Sequence, residues 1–234
     1  MYQQIIKDLQ KYANSEKAKL LSRFFKTGKG EYGEGDVFIG VVVPQQRLVA
    51  KKYKTADLKT VEQLLHSKIH EHRLTALLIL TYQLKKADEI KRKQFFDFYL
   101  KNTQYINNWD LVDLSCRDII GEYLLDKDRK IIYQLARSKN LWERRIAIIS
   151  TFAFIRKNQL QDTLRVSKIL LNDKHDLIHK AVGWALRELG KKDEKLLEEF
   201  LNKNIKSMPR TMLRYAIEKF SEDKRRKYLN KPLR

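Results

Sequence analysis

Trp109 and Asp113 stand four residues apart, so a helix would present an indole and a carboxylate together on one face. A carboxylate beside an aromatic wall can stabilise a developing cation while the ring keeps water out. The same spacing offers Asp113 to Arg117 in the favourable acid-first order, so spacing alone leaves an ordinary ion pair as an equal reading. Trp184 is a second aromatic candidate, although the positions that precede it at 35-residue intervals, Ile79, Leu114 and Ile149, are apolar and would also suit a core residue there. Arg145, Lys180, Arg210 and Arg214 are candidate phosphate ligands, the last two sharing one helix face by their i,i+4 spacing. Residues 203–234 carry a net charge of +8 and include the basic run 224–227.

Other chemistries find little support. Residues 28–33 match G-x-G-x-x-G, but a helical pattern precedes them and an extended one follows, the reverse of a dinucleotide-binding turn. No P-loop Lys-Ser/Thr pair or kinase companion motif is present. His70/His72 and His175/His179 are close pairs without a supporting carboxylate pattern, so no metal is expected. No cofactor is expected either. Cys116 is the single cysteine, which excludes an internal disulfide, and its apolar surroundings suit a buried thiol.

The elements that must position these residues read as helices. Hydrophobic residues make up 43% and charged residues 33%, which suits an ordered, charge-rich protein. Eight glycines and three prolines leave little punctuation for a chain of many strands. Periodicity starts with Ile5, Ile6, Leu9 and Tyr12 and continues with Leu20, Leu21, Phe24 and Phe25 after a cap at Ser15. Further helix starts are expected at Asp57, Asp88, Asp128, Ser207 before Pro209, and Ser221. Residues 28–35 are half glycine, and the apolar run 36–43 after them predicts a turn or β-hairpin leading into Pro44.

Four segments recur 35 residues apart, beginning at His70, Tyr105, Asn140 and His175. In register, Ala76, Leu111, Ile146 and Ala181 form one apolar column, and Leu77, Val112, Ala147 and Val182 the next. This period predicts an all-α, HEAT-like helical-repeat solenoid, a single domain over residues 1–234. The following column reads Leu78, Asp113, Ile148, Gly183, so Asp113 breaks the repeat's own packing rule, as functional residues do. Another column reads Thr75, Asp110, Arg145, Lys180, polar throughout and basic in its last two members. Trp142 opens its repeat and reads as structural.

Lys and Arg number 49 against 29 Asp and Glu, a net charge of +20. The isoelectric point is about 9.9. Such a surplus argues for a polyanionic partner, nucleic acid ahead of an anionic membrane. No apolar run approaches a membrane span and no signal-peptide pattern opens the chain, so a cytoplasmic, nucleoid-associated monomer is expected.

Residues 108–113 (NWDLVD), 141–145 (LWERR) and 180–188 (KAVGWALRE) resemble the AlkD-like DNA alkylation repair family over nearly the whole chain. That resemblance implies a groove for double-stranded DNA and a glycosylase that releases cationic N3- and N7-alkylated purines without flipping them into a pocket. It implies catalytic positions at Trp109, Asp113 and Trp184 and a DNA-backbone contact at Arg145. Asn108 stands where glycosylase members can carry a second aromatic, and Phe24-Phe25 where they can carry a tyrosine. Residues 28–35 look like an insertion, and relatives with an inserted hairpin look like non-catalytic binders of branched DNA, which makes that the alternative reading. A protein-interaction solenoid would suit the fold but not the charge.

Overall fold

Asp57, Asp88 and Ser221 each cap a helix with their side chains in the computed structural model, which describes residues 1–230. The other starts shift slightly. Asn14 rather than Ser15 caps the second helix, accepting from the Lys17 amide at 2.9 Å. Arg129 takes the cap position beside Asp128, whose carboxylate accepts from the Lys130 amide at 2.8 Å. Ser207 ends a short 3-10 turn, and the helix begins at Arg210 after Pro209.

The described residues form fourteen α-helices and no strand. They fold as two compact units, Met1–Ser115 and Cys116–Arg234. In the first, α1 (Tyr2–Gln10) packs on α3 (Val43–Lys52) and α4 (Leu58–Leu65), and both of these pack on α5 (His70–Leu84). The short α2 (Ser15–Phe24) buries none of its residues, and Leu20 and Phe24 are exposed. The unit is completed by α6 (Glu89–Lys101) and α7 (Trp109–Asp113), both against α5.

In the second unit a π-helical turn, Arg117–Gly121, packs on α9 (Leu141–Arg156), which also receives α8 (Lys130–Leu135) and α10 (Gln161–Ile169). Next, α11 (Asp176–Gly190) packs between α9 and α13 (Arg210–Ala216), with α12 (Glu194–Asn204) on its flank. The last helix is α14 (Glu222–Leu229). The repeat columns lie in the cores as expected, since Ala76, Leu111, Ile146, Leu77, Val112, Ala147 and Val182 are fully buried and Ala181 nearly so. Gly183 lets α11 and α13 touch, because a Cβ there would meet the Met212 carbonyl oxygen at 2.5 Å.

The expected β segment is not formed. Among the described residues only an isolated parallel bridge joins Val37 to Ile69, beside the first turn of α5. The cause is a buried carboxylate. Glu71 accepts from the backbone amides of Gly40 at 2.8 Å, Ile39 at 3.0 Å and Val41 at 3.2 Å, so the donors a hairpin would need are taken. Gly40 adopts φ +82° where the chain passes so close to Asn14 that any Cβ would strike its carbonyl oxygen. The segment is thus a strap bound to α5 rather than a projecting hairpin.

Candidate functional site

Within α7, Asp110, Leu111 and Val112 are buried while Trp109 and Asp113 are half-buried. One face of the helix therefore enters the core, and the other presents the indole and the carboxylate, as their i,i+4 spacing predicts. Asn108 caps this helix, its side-chain oxygen accepting from the Trp109 amide at 2.8 Å. Just past the end of the helix the Ser115 hydroxyl donates back to the Leu111 carbonyl, in competition with the helical ladder. The Tyr99 hydroxyl lies 2.9 Å from the same Ser115 oxygen.

The indole is held by rings. Phe25 stacks on Trp109 with centroids 5.1 Å apart, and Phe24 meets it edge-on at 6.0 Å. Phe25 in turn stacks on Phe38, and Phe38 on the His70 imidazole at 4.5 Å. Each such contact contributes roughly 0.5–1.5 kcal/mol beyond simple burial. Phe24 is the exposed member, at 64%.

Beneath the rings lies a buried polar network that the sequence reading did not assemble. His70 sits between two carboxylates, with Nδ1 3.1 Å from Asp36 and Nε2 2.9 Å from Asp110. The doubly protonated ring is the form that donates to both. Burial opposes that charge, but the neighbouring Asp110 and the hydrogen bonds to Asp110 and Asp36 outweigh it and hold the His70 pKa above its ordinary value. Burial likewise works to raise Asp36, and the His70 hydrogen bond and the Arg73 charge overcome it, leaving its pKa lowered. Arg73 donates to Asp36 at 2.7 Å, and the Asn108 amide to the same carboxylate at 3.3 Å. His72, beside Arg73, is instead pushed down to about 4 by burial and by that positive neighbour. The available signal was Asp110, an acid in a repeat column otherwise holding Thr75 and two basic residues. Its partner His70 opens the preceding repeat but stands in a different column, and Asp36, the other carboxylate on His70, lies outside the repeats.

In the second unit Trp184 is half-buried and meets Phe152 edge-on at 4.6 Å. Trp142 is buried, as a structural residue should be. Arg145 is only 5% exposed, and its guanidinium donates to the Leu177 carbonyl at 2.7 Å, in the first turn of α11. Arg144, on a different side of α9, pairs with Asp173 at 2.6 Å. Lys180 pairs with Asp176 at 2.7 Å along α11. Arg210 and Arg214 are exposed on α13, Arg210 donating to the Leu229 carbonyl at 2.7 Å. Of the basic run 224–227, Lys224 is paired with Glu194 and Glu198, and Arg226 with Glu222. Residues 231–234 of the basic C-terminal stretch lie outside the described residues.

Arg117 pairs with its neighbour Asp118 at 2.7 Å. The histidine pairs have local partners as well. His72 lies 3.0 Å from the Ser67 hydroxyl, His175 accepts from the Leu177 amide, and His179 bonds the Asp173 carbonyl. Cys116 is fully buried. No helix among the described residues is long and apolar enough to cross a membrane.

Fold and site together define an all-α helical-repeat protein with an aromatic–carboxylate face on a one-turn helix. A family model described as DNA alkylation repair enzyme matches residues 5–220, and the chain belongs to that family of DNA-repair proteins. No curated protein matches the sequence. Among solved structures, a "predicted DNA alkylation repair enzyme" from Enterococcus faecalis is similar with a TM-score of 0.70 at 18% identity, over 90% of this chain and 97% of that one. AlkD2 from Streptococcus mutans is similar with a TM-score of 0.54 at 21% identity, over 88% of this chain and 98% of that one. Both likenesses are of fold.

Proposed function

We propose that the protein is a monofunctional DNA glycosylase that hydrolyses the N-glycosidic bond of cationic N3- and N7-alkylated purines in double-stranded DNA. The observation that carries this reading is α7, where three buried residues are flanked by an accessible Trp109 and Asp113 on one face. An alkylated purine already bears positive charge and leaves without a general acid. The difficult species is the oxocarbenium-like sugar left behind, as in other glycoside hydrolyses. Asp113 stabilises that cation and orients the attacking water, and Trp109 covers the deoxyribose. The stacked rings and the Asn108 cap already hold Trp109, so little reorganisation of the indole is needed when charge develops.

Trp184 keeps the catalytic position the resemblance gives it, with its ring orientation set by Phe152. Arg145 supports α11 through the Leu177 carbonyl, and the exposed Arg210 and Arg214 are the better phosphate ligands. The alternative, a non-catalytic binder of branched DNA, rests on the insert at residues 28–35, which forms mostly exposed turns in which Glu31 and Glu34 accept from the Gly28 and Gly30 amides rather than a β-hairpin. The test is to incubate the protein with methylated duplex and identify any released base. Release of 3-methyladenine or 7-methylguanine supports the proposal; tight binding to methylated duplex without release overturns it.

A further inference from the structure

A cavity of about 830 Å³ opens at the end of α5 away from Trp109, framed by the ends of α3 and α5 and the starts of α4 and α6. The α5 helix begins at His70, which bonds Asp110 beside Trp109, and its 15 residues span roughly 20 Å at about 1.5 Å per residue. The cavity is therefore separate from the face described above. Its volume falls in the usual range for small-molecule sites, about 300–1,000 Å³.

Five lysines line it: Lys51, Lys54, Lys85, Lys86 and Lys91. None forms an ion pair among the described residues, whereas the adjacent Lys52 is drawn to Asp8 at 2.5 Å. The one carboxylate in the lining, Asp57, is occupied as the cap of α4, accepting from the Thr60 amide at 2.7 Å. Five ammonium groups around one concavity repel one another, and an anion bound among them relieves that repulsion. The frame is held in place, since Gln83 donates to the Ala56 carbonyl at 2.7 Å and Arg92 to the Ala87 carbonyl at 3.2 Å.

The remaining wall is mixed, with Thr55, Gln83 and Gln94 beside an apolar and aromatic part. Leu58 and Tyr82 flank the buried Phe95, and the Lys85 ammonium lies 5.6 Å from the centre of the Tyr82 ring. A bare inorganic anion would use the lysines and leave these rings idle. An intact duplex offers phosphates, but its bases are stacked and paired out of reach. A ligand combining phosphates with a flat, largely apolar ring matches both walls, because bases stack on aromatic side chains while lysines take the backbone charge.

We propose that this cavity is a second binding site that takes a phosphorylated nucleotide unit, with its phosphates on the five lysines and its base against Tyr82 and Phe95. The unit comes either from a free nucleotide or from an unpaired nucleic-acid strand, and the site works independently of base release at Trp109 and Asp113.

The full-length protein is titrated calorimetrically with ATP, with inorganic tripolyphosphate and with a 5′-phosphorylated single-stranded oligonucleotide. Saturable binding of ATP or of the oligonucleotide is expected, and the tighter of the two identifies the source. Lys54 and Lys86 are exposed, so the double substitution K54E/K86E leaves the core intact and should weaken binding by about tenfold or more. Tyr82→Ala should weaken ATP but not tripolyphosphate. Base release from methylated duplex should be the same in K54E/K86E as in the parent. The proposal is overturned by absence of saturable binding, by K54E/K86E binding like the parent, or by tripolyphosphate binding as tightly as ATP with no effect of Tyr82→Ala.

Discussion

The helices α7 and α9 occupy equivalent places in the repeat and are built in opposite ways. In α9, sixteen residues run without interruption, and Ile146, Ala147 and Ile148 are fully buried in an apolar core. In α7 the helix lasts five residues, and its core face carries the buried Asp110, which is tied to His70. Aliphatic packing dominates α9, and its buried Arg145 donates to a backbone carbonyl, that of Leu177. A charged hydrogen-bond network capped by Asn108 and faced with stacked rings holds α7. The polar solution stabilises less reliably, because each buried charge depends on its partner. It fixes the direction of Trp109 and Asp113 in a way that interchangeable aliphatic side chains do not.

The largest effect that should separate the two regions is on stability. Asp36→Ala leaves His70 and Arg73 without their shared carboxylate, and loss of one partner of a buried pair costs about 3–5 kcal/mol. Ile148→Val, at the corresponding apolar core of α9, should cost about 0.5–1.5 kcal/mol. Urea denaturation of both variants measures the contrast. Equal costs would mean that the network contributes no more than ordinary packing.

Activity should discriminate next. If Asp113 stabilises a sugar cation, Asp113→Asn keeps its shape and lowers single-turnover release of a methylated purine by roughly tenfold to a thousandfold, about 1.4–4 kcal/mol. DNA affinity should hold or rise slightly, since a negative charge has been removed. Full activity with a lowered melting temperature would return Asp113 to a structural role.

A smaller effect follows from pH. The His72 pKa is lowered from 6.5 to about 4, so the buried neutral ring favours the fold above pH 6.5 and that stability is lost as pH falls toward 4. The raised value of His70 acts in the other direction. Its contribution is complete below pH 6.5 and is lost only as pH rises through its folded pKa, so it adds no slope in the acidic window. His72→Gln should therefore flatten the dependence of melting temperature on pH between 6.5 and 4. Parallel curves for parent and variant would assign the slope to other groups. Smallest of all, Arg214→Ala on exposed α13 should weaken binding to undamaged duplex evenly across sequences and reduce the salt slope by about one. A change confined to one sequence or lesion would give Arg214 a reading role instead.

Much of this organisation was legible in the chain. The 35-residue recurrence located the core columns because every repeat solves the same packing problem with apolar side chains at the same register. Asp113 stood out by breaking that register, and Trp109 by sharing its face. Caps at Asp57, Asp88 and Ser221 follow from local hydrogen bonding that needs no tertiary context. The burial of Arg145 was not legible, because a long basic side chain beside a groove and one bonded to the Leu177 carbonyl have the same local sequence.

Residues 36–43 show where the boundary falls. Their run of apolar, β-branched side chains favours an extended backbone, but Gly40 turns at φ +82°, Val43 already opens α3, and a strand exists only where a partner supplies hydrogen bonds. That partner was Glu71, a carboxylate some thirty residues further along, and no local propensity records it. The same holds for His70, read alone as a weak metal candidate and found between Asp36 and Asp110. By itself the sequence determined the helices, their repeat and the face shared by Trp109 and Asp113, since these depend on spacing along one chain segment. Only the tertiary structure decided which buried charges meet, because a charge can be buried only beside its complement, and that complement came from a distant part of the chain.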